Sequence, residues 1–334
     1  MLKNRELYQI SVKKSVDWLL TQINPDGTVN PVSKGAIAYY KLPWALVLAG
    51  KSLEAKKIIN WVVRETMASD GDFKSEKRQK FSLDYYIYPN AWICLASHLL
   101  SLFDISYPAW NYIASHQDPE TGGYCSKAPY DPDNDNLEDA ISTAWSSMVG
   151  LYLGKLQEAE KAAKFLADLL KEQPEFKEEF YYYRYPERGL VVRKPAEEPD
   201  ERFIRINIRD KEENFYYIVG AVVAFLAKLA SVTGNAEHLE LAGKYYDFIL
   251  RAGEHPFNTE SCGKLCYASS FLYQASGDRK YLEMAEKFMV SLLGIGEPAG
   301  FWIRGGSPTA SSTSEFCIWR YNLLVIGEGE NGHV

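Results

Sequence analysis

The feature that most constrains this chain is a strict alternation of two kinds of helical segment along its 334 residues. One kind is amphipathic, with apolar residues three and four apart on one stripe and Lys and Glu opposite, over 3–22, 52–67, 104–117, 156–173, 236–252 and 278–294. LQEAEKAAKFLADLLKEQ, starting at Leu156, shows it most clearly. The other kind is apolar nearly all round and rich in Ala, Ser and aromatics, over about 43–49, 89–101, 137–154, 211–233, 260–276 and 312–327. A helix with no polar face must be covered on several sides. The alternation therefore predicts six helical hairpins, each with a wetted outer and a buried inner member, closing as an all-α (α/α)6 toroid. The expected domain runs over 1–327, with 328–334 as a flexible tail.

The connections are lopsided. After each inner helix the chain turns within a few residues, through Gly in LAGKSL, LGKLQ, TGNAE and SGDRK, as left-handed helix caps require. From outer to inner helix the loops are longer, and a ring gathers them at one mouth facing the N-termini of the inner helices. Those termini favour acidic groups and anionic ligands. Within the longest connection, 174–208, the alternating FYYYRYPERGLVVRK and RFIRIN predict a small β-hairpin, expected as a flap over that mouth.

The outer helices end in a recurrent signal: QINPDGTV at 22–29, SDGDF at 69–73, QDPETGGY at 117–124 and EPAGFW at 297–302. This resembles the Gln–Gly–aromatic repeat of the prenyltransferase and squalene-cyclase (terpenoid-cyclase) toroids. The resemblance implies that the Gly permits the turn and that the aromatic packs between hairpins. The Asp-x-Asp-Asp motif of the squalene cyclases is absent, so their protonating group does not carry over. Similar toroids also house glycosidases, sugar epimerases, polysaccharide lyases and a dehydratase/isomerase, so fold analogy narrows the site and not the reaction.

A net charge of −7, with Lys and Arg scattered, argues against nucleic acid as a partner. No apolar run approaches ~18 residues, and MLKNRELYQ lacks an apolar core, so a cytoplasmic chain without a membrane span is expected. Five widely spaced cysteines, without a C-x-x-C pair, read as reduced thiols. Asp131, Asp133 and Asp135 resemble part of a calcium loop but lack its Gly and terminal Glu, and no metal or cofactor is expected.

Four acidic residues fall near the starts of inner helices: Asp139, Asp84, Glu213 and Glu315. Carboxyls enclosed together can be driven to different pKa values and divide acid from base work. Helix capping is the alternative role for each. Asp139 is favoured, because small residues follow it and Trp145 shares its side of the helix, while Glu138 is expected to point outward. Tyr40, Tyr86 and Tyr88 precede inner helices in AYYKLPWAL and DYYIYPNAW. With Tyr124, Trp145, Tyr216, Trp302, Lys264 and Arg304 they are the expected substrate contacts, packing between hairpins being the alternative. Cys262, Cys266 and Cys317 read as buried thiols rather than nucleophiles.

Three functions fit. The first is a terpenoid-cyclase-like enzyme that isomerises, cyclises or dehydrates a mostly apolar small molecule, with a mouth carboxyl moving the proton and aromatic rings steadying positive charge. The second is a carbohydrate-active toroid, hydrolase or lyase, using a carboxylate pair. The third is a non-catalytic binding toroid. A small-molecule ligand is common to the first two.

Overall fold

The computed structural model describes residues 2–33, 35–74, 85–193, 203–210, 214–295, 300–304 and 307–328. Twelve α-helices are found among them: α1 (Arg5–Thr21), α2 (Leu42–Leu48), α3 (Ser52–Thr66), α4 (Tyr88–Leu99), α5 (Phe103–Ala114), α6 (Ala140–Tyr152), α7 (Leu156–Lys171), α8 (Tyr216–Thr233), α9 (Ala236–Arg251), α10 (Cys262–Ser276), α11 (Arg279–Ile295) and α12 (Ala310–Glu328). Every helix expected from periodicity is present, most with ends within about three residues of the sequence reading.

Burial follows the alternation. In α7 only Ala159, Ala162, Ala163, Phe165, Leu166 and Leu169 are buried, at helical spacing, and its Lys and Glu residues take the other face. In α8 nearly every residue from Tyr216 to Ala230 is buried. By length and composition α8 is also the one helix among the described residues able to cross a membrane, but it is largely buried inside the protein. Gly234 and Gly277 end α8 and α10 in the left-handed conformation.

The chain divides into two compact units, Met1–Ala114 with Met289–Val334, and Ser115–Phe288. In the first unit α2 packs on α3, α4 and α12, α4 on α5, and α12 on α1, so inner helices α12, α2 and α4 lie in sequence and the two ends of the chain meet. In the second unit α6, α8 and α10 lie side by side, with α7 on α6 and α9 on α8.

The turns ending four of the outer helices, α1, α3, α5 and α11, dock on the backbone of another outer helix. Gly122 does so at φ +84°, where a Cβ would sit 2.2 Å from the Lys161 carbonyl oxygen of α7. Gly27, Gly71 and Gly300 repeat this against Lys57, Pro108 and Lys14, at φ of +93°, +93° and +97°. The contact between Gly300 and Lys14 joins the turn after α11 to α1, within the first unit. Gln117 supplies the polar half of the device, donating from Nε2 to the Gly122 oxygen at 3.0 Å and the Glu158 oxygen at 2.9 Å.

The short strands are β1 (Tyr124–Cys125), β2 (Glu138–Asp139), β3 (Glu179–Tyr181), β4 (Tyr183–Tyr185), β5 (Gly189–Leu190), β6 (Arg205–Asn207), β7 (Ile303–Arg304) and β8 (Ser307–Pro308). The hairpin expected in 174–208 is β4–β5. It is bound into an antiparallel sheet of order β1-β2-β4-β5, while β3 pairs with β6. That sheet carries the strand from which α6 starts.

Candidate active site

In the second unit β2 delivers two consecutive carboxyls, Glu138 and Asp139, directly into α6. Successive side chains of a strand point to opposite faces. Tyr124 and Tyr183 are the register partners of Asp139, and Cys125 and Arg184 those of Glu138. One carboxyl therefore shares a face with two phenols and the other with a guanidinium.

Asp139 is rigidly held. Its Oδ1 accepts from the Ser142 amide at 2.6 Å, capping α6, and its backbone oxygen accepts from the Thr143 hydroxyl at 2.7 Å. Thr143 Oγ1 in turn accepts from the Tyr124 amide at 2.9 Å, and the Ala140 amide reaches the Tyr182 oxygen at 2.9 Å. Oδ2 has no hydrogen-bond partner among the described residues. Burial pushes this carboxyl up from 3.8 to about 7, against hydrogen bonds from Ser142, Ser126 and the Ile141 amide that pull it down. A helix N-terminus favours the anion by only about 0.3–2 kcal/mol, so desolvation prevails.

An internal comparison separates capping from chemistry. At the start of α12 the Trp302 amide donates to Thr313 Oγ1 at 2.9 Å, as Tyr124 does to Thr143, and the Ser312 amide donates to Thr309 Oγ1 at 3.3 Å. Thr309 thus holds the place of Asp139 and caps its helix with a hydroxyl. A carboxylic acid at that place adds a second oxygen and a proton exchangeable near neutrality, neither of which the cap needs.

Glu138 is fully buried rather than outward-facing: its carboxyl lies against Gly123, where an added Cβ would meet both the Glu138 carboxyl and the Phe165 ring of α7. Its Oε1 accepts from the Thr121 hydroxyl, and Oε2 has no partner among the described residues. Burial raises it from 4.5 to about 7, outweighing Thr121 and the Arg184 charge. Arg184 itself pairs with Glu172 at 3.1 Å. Nothing in the sequence predicts the burial of Glu138, since strand β2 is two residues long and invisible to periodicity.

In the first unit the expected carboxyl Glu315 pairs with Lys41, the two side chains being 13% and 9% exposed. The pair holds Glu315 as an anion facing an ammonium, not as a free proton donor. Lys41 Nζ lies 5.1 Å from the ring centre of Tyr40 and 5.8 Å from that of Trp92. Tyr40 meets Tyr88 and Trp92 edge-on, and Trp44, Trp92 and Trp319 form a mutually touching buried set beneath. Tyr86 donates to Asp72 at 2.6 Å, and Asn90 Nδ2 donates to the same carboxylate at 2.9 Å. Lys41 and Asp72 were missed. The first reads as a stray cation beside Pro43, and the second as a turn residue.

The other expected contacts are placed as follows. Tyr124, Trp145, Tyr216 and Trp302 are buried, Trp145 against Tyr267 and Trp302 against Phe316. Tyr216 shares a hydrogen bond with His255 at 3.1 Å, and burial raises its phenol to about 12. Lys264 lies over the Tyr217 ring at 5.1 Å. Arg304 sits in β7 opposite Ser307. Asp84 and Glu213 lie outside the described residues. In the acidic loop Asp131 accepts from the Asp133 amide and the Asn134 side chain, and Asp135 pairs with Arg188. No group of three or more His, Cys, Asp or Glu residues able to hold a metal converges among the described residues.

No family model matches this sequence, and no curated protein matches it. Solved structures do resemble its fold. A D-mannose isomerase shares 12% identity at a TM-score of 0.68, over 96% of this chain and 97% of its own. An inactive variant of an alpha-1,6-mannanase from Salegentibacter sp., in complex with alpha-1,6-mannotriose, shares 14% identity at 0.62, over 96% and 99%. A type II terpene cyclase from Scytonema, bound to geranylgeranyl dihydroxybenzoate, shares 12% at 0.58, over 97% and 99%. The class is thereby defined as the all-α (α/α) toroids. The neighbours are toroid enzymes of several reaction types, and at these identities the likeness is one of fold alone.

Proposed function

We propose that this chain is a carbohydrate-active toroid enzyme in which Asp139 is the general acid and base of glycosidic-bond cleavage. The observation that carries the reading is the Asp139 carboxyl, buried, fixed by its cap, raised to about 7 and left with Oδ2 uncommitted. An acid balanced near neutral pH can give a proton to a leaving glycosidic oxygen and afterwards take one from water. Glu138, on the other face of the strand, positions β2 through Thr121. A further support is the inactive mannanase variant, in which two aspartates adjacent in sequence are replaced, as Glu138 and Asp139 are adjacent here.

A terpenoid-cyclase reading has its own observation, the aromatic cluster of Tyr40, Trp44, Tyr88, Trp92 and Trp319. It ranks second because the faces of Tyr40 and Trp92 already carry the Lys41 ammonium, which would repel a carbocation from the same rings. Incubation with alpha-1,6-mannooligosaccharides and other neutral oligosaccharides, read as new reducing ends, tests the first reading. Native protein should release them. Asp139→Asn, folded by circular dichroism, should lose about 100-fold or more in rate. Full activity in that variant removes Asp139 from the mechanism.

A further inference from the structure

We infer that the groove between α9 and the turn that leaves α7, in the second unit, is an accessory binding site for a neutral oligosaccharide. The ligand class rests on the carbohydrate reading above, but the groove shares no residue with the Asp139 site.

The groove has a volume of about 490 Å3, within the roughly 300–1,000 Å3 of small-molecule sites. One wall is a stripe of α9, Lys244, Asp247 and Arg251, whose spacing of three and four puts them on one helical face. The other is the turn after α7, where Glu175, Phe176 and Lys177 follow Pro174. That turn is preformed. The Glu178 and Glu179 amides donate to the Glu175 oxygen at 3.0 and 3.1 Å. Gln173 ties the turn to its flanks, Nε2 donating to the Leu169 and Tyr181 oxygens and Oε1 accepting from the Tyr181 amide. Phe176 is held as well: it stacks on Phe248 with ring centres 5.2 Å apart, and Tyr245 and Phe180 meet it edge-on at 5.7 and 6.0 Å. It is nonetheless only half-buried. A fixed, partly wetted ring can take the apolar face of a pyranose with little loss of side-chain freedom.

The polar groups around it are uncommitted. Glu175, Lys177 and Asp247 are exposed and make no side-chain hydrogen bond or ion pair among the described residues. Arg251, also exposed, lies over the Phe176 ring at 6.0 Å and pairs with no carboxylate among them. Opposite charges in water gain little by pairing, and these stay apart, leaving two cationic donors and two anionic acceptors around the apolar Leu170, Pro174 and Phe176. Sugar hydroxyls need both kinds, since each can donate to a carboxylate or accept from an ammonium or guanidinium. The charge balance selects among sugars. Lys244 pairs with Glu240 at 2.8 Å, so the remaining two cations face two anions and a uronate meets no net attraction. The turn also leads towards the proposed catalytic carboxyl. Tyr183, seven positions after Phe176, is the register partner of Asp139, and a stretch of that length spans at most about 25 Å. A long oligosaccharide reacting at Asp139 could rest a distal part in this groove.

The test uses the full chain in its Asp139→Asn form, with alpha-1,6-mannooligosaccharides, alpha-1,6-glucooligosaccharides and oligogalacturonates of equal length. Affinity is read by isothermal titration calorimetry, and the site is located by amide hydrogen exchange. A neutral series should bind and slow exchange in 174–178, and oligogalacturonate should bind at least tenfold more weakly. Two paired variants, Asp247→Ala with Arg251→Ala and Glu175→Ala with Lys177→Ala, alter exposed side chains and leave the net charge unchanged. Each should weaken binding about 3- to 10-fold. Absence of binding by both neutral series overturns the inference. So does exchange in 174–178 that saturating sugar leaves unchanged, affinity indifferent to both paired variants, or a preference for oligogalacturonate. Groove-dependent binding in a protein whose Asp139→Asn form turns over normally would sustain the groove while refuting the catalytic reading. Cleavage by the native chain, with binding indifferent to both paired variants, would do the reverse.

Discussion

If Asp139 is kept protonated by burial, its effect on stability has a sign opposite to that of most carboxyls. An ordinary salt-bridged Asp has a depressed folded pKa and stabilises the protein above it. Asp139 has a folded pKa of about 7 against 3.8 when unfolded, so between those values the folded state holds a proton that the unfolded state has released. The slope of unfolding free energy with pH is then negative. Stability is unaffected by this group below about pH 4, falls as pH rises through the interval, and is flat again above about pH 8. At 1.36 kcal/mol per pKa unit the whole loss is about 4 kcal/mol, of which roughly 2.5 kcal/mol falls between pH 5 and pH 8. Asp139→Asn removes the titration but keeps an oxygen to accept from the Ser142 amide, and Asp139→Thr copies the cap seen at Thr309. Urea unfolding at pH 5 and pH 8 should therefore show both variants gaining roughly 2.5 kcal/mol relative to the native chain at the higher pH. Glu138, also raised to about 7, titrates equally in native and variant proteins and cancels in the difference. A variant-to-native difference that is constant with pH, or that shrinks at pH 8, would refute the argument that desolvation dominates at this carboxyl.

Gly122→Ala forces a Cβ to within 2.2 Å of the Lys161 oxygen, whereas at Gly154, with φ +74°, the added Cβ meets nothing within 4 Å. Both substitutions carry about 1–2 kcal/mol for left-handed backbone, and Gly122→Ala should cost about 1–3 kcal/mol more, read by chemical denaturation. Gln117→Ala strips the hydrogen bonds to the Gly122 and Glu158 oxygens and should lower stability by roughly 1–3 kcal/mol without altering ligand affinity, measured on the same protein. All five cysteines are buried, with Cys262 raised to about 12 and Cys317 to about 11. At pH 8 a disulfide reagent should therefore find no thiol in native protein within minutes and five in denaturant; rapid reaction of one would show that its helix opens.

The helices were legible because burial of an entire helix demands an all-apolar segment, and α8 from Tyr216 to Ala230 could be nothing else. The glycine turns were legible for a similar reason: Gly122 sits against a backbone oxygen, and a motif repeated at Gly27, Gly71 and Gly300 records a steric demand. The site was only half legible. Asp139 stands out as an acid before a small-residue helix, but in sequence it is indistinguishable from a capping residue. What separates the roles is the comparison with Thr309, which becomes meaningful only when both are seen to cap helices whose first turns receive the same amide-to-threonine hydrogen bond, Tyr124 to Thr143 and Trp302 to Thr313. Likewise Glu315 reads as a free acid until Lys41, distant in sequence, is found beside it. In both cases the chemistry resides in pairings between segments far apart in the chain. Local sequence encodes which residues must be dry, and drying is what turns Asp139 from a cap into an acid.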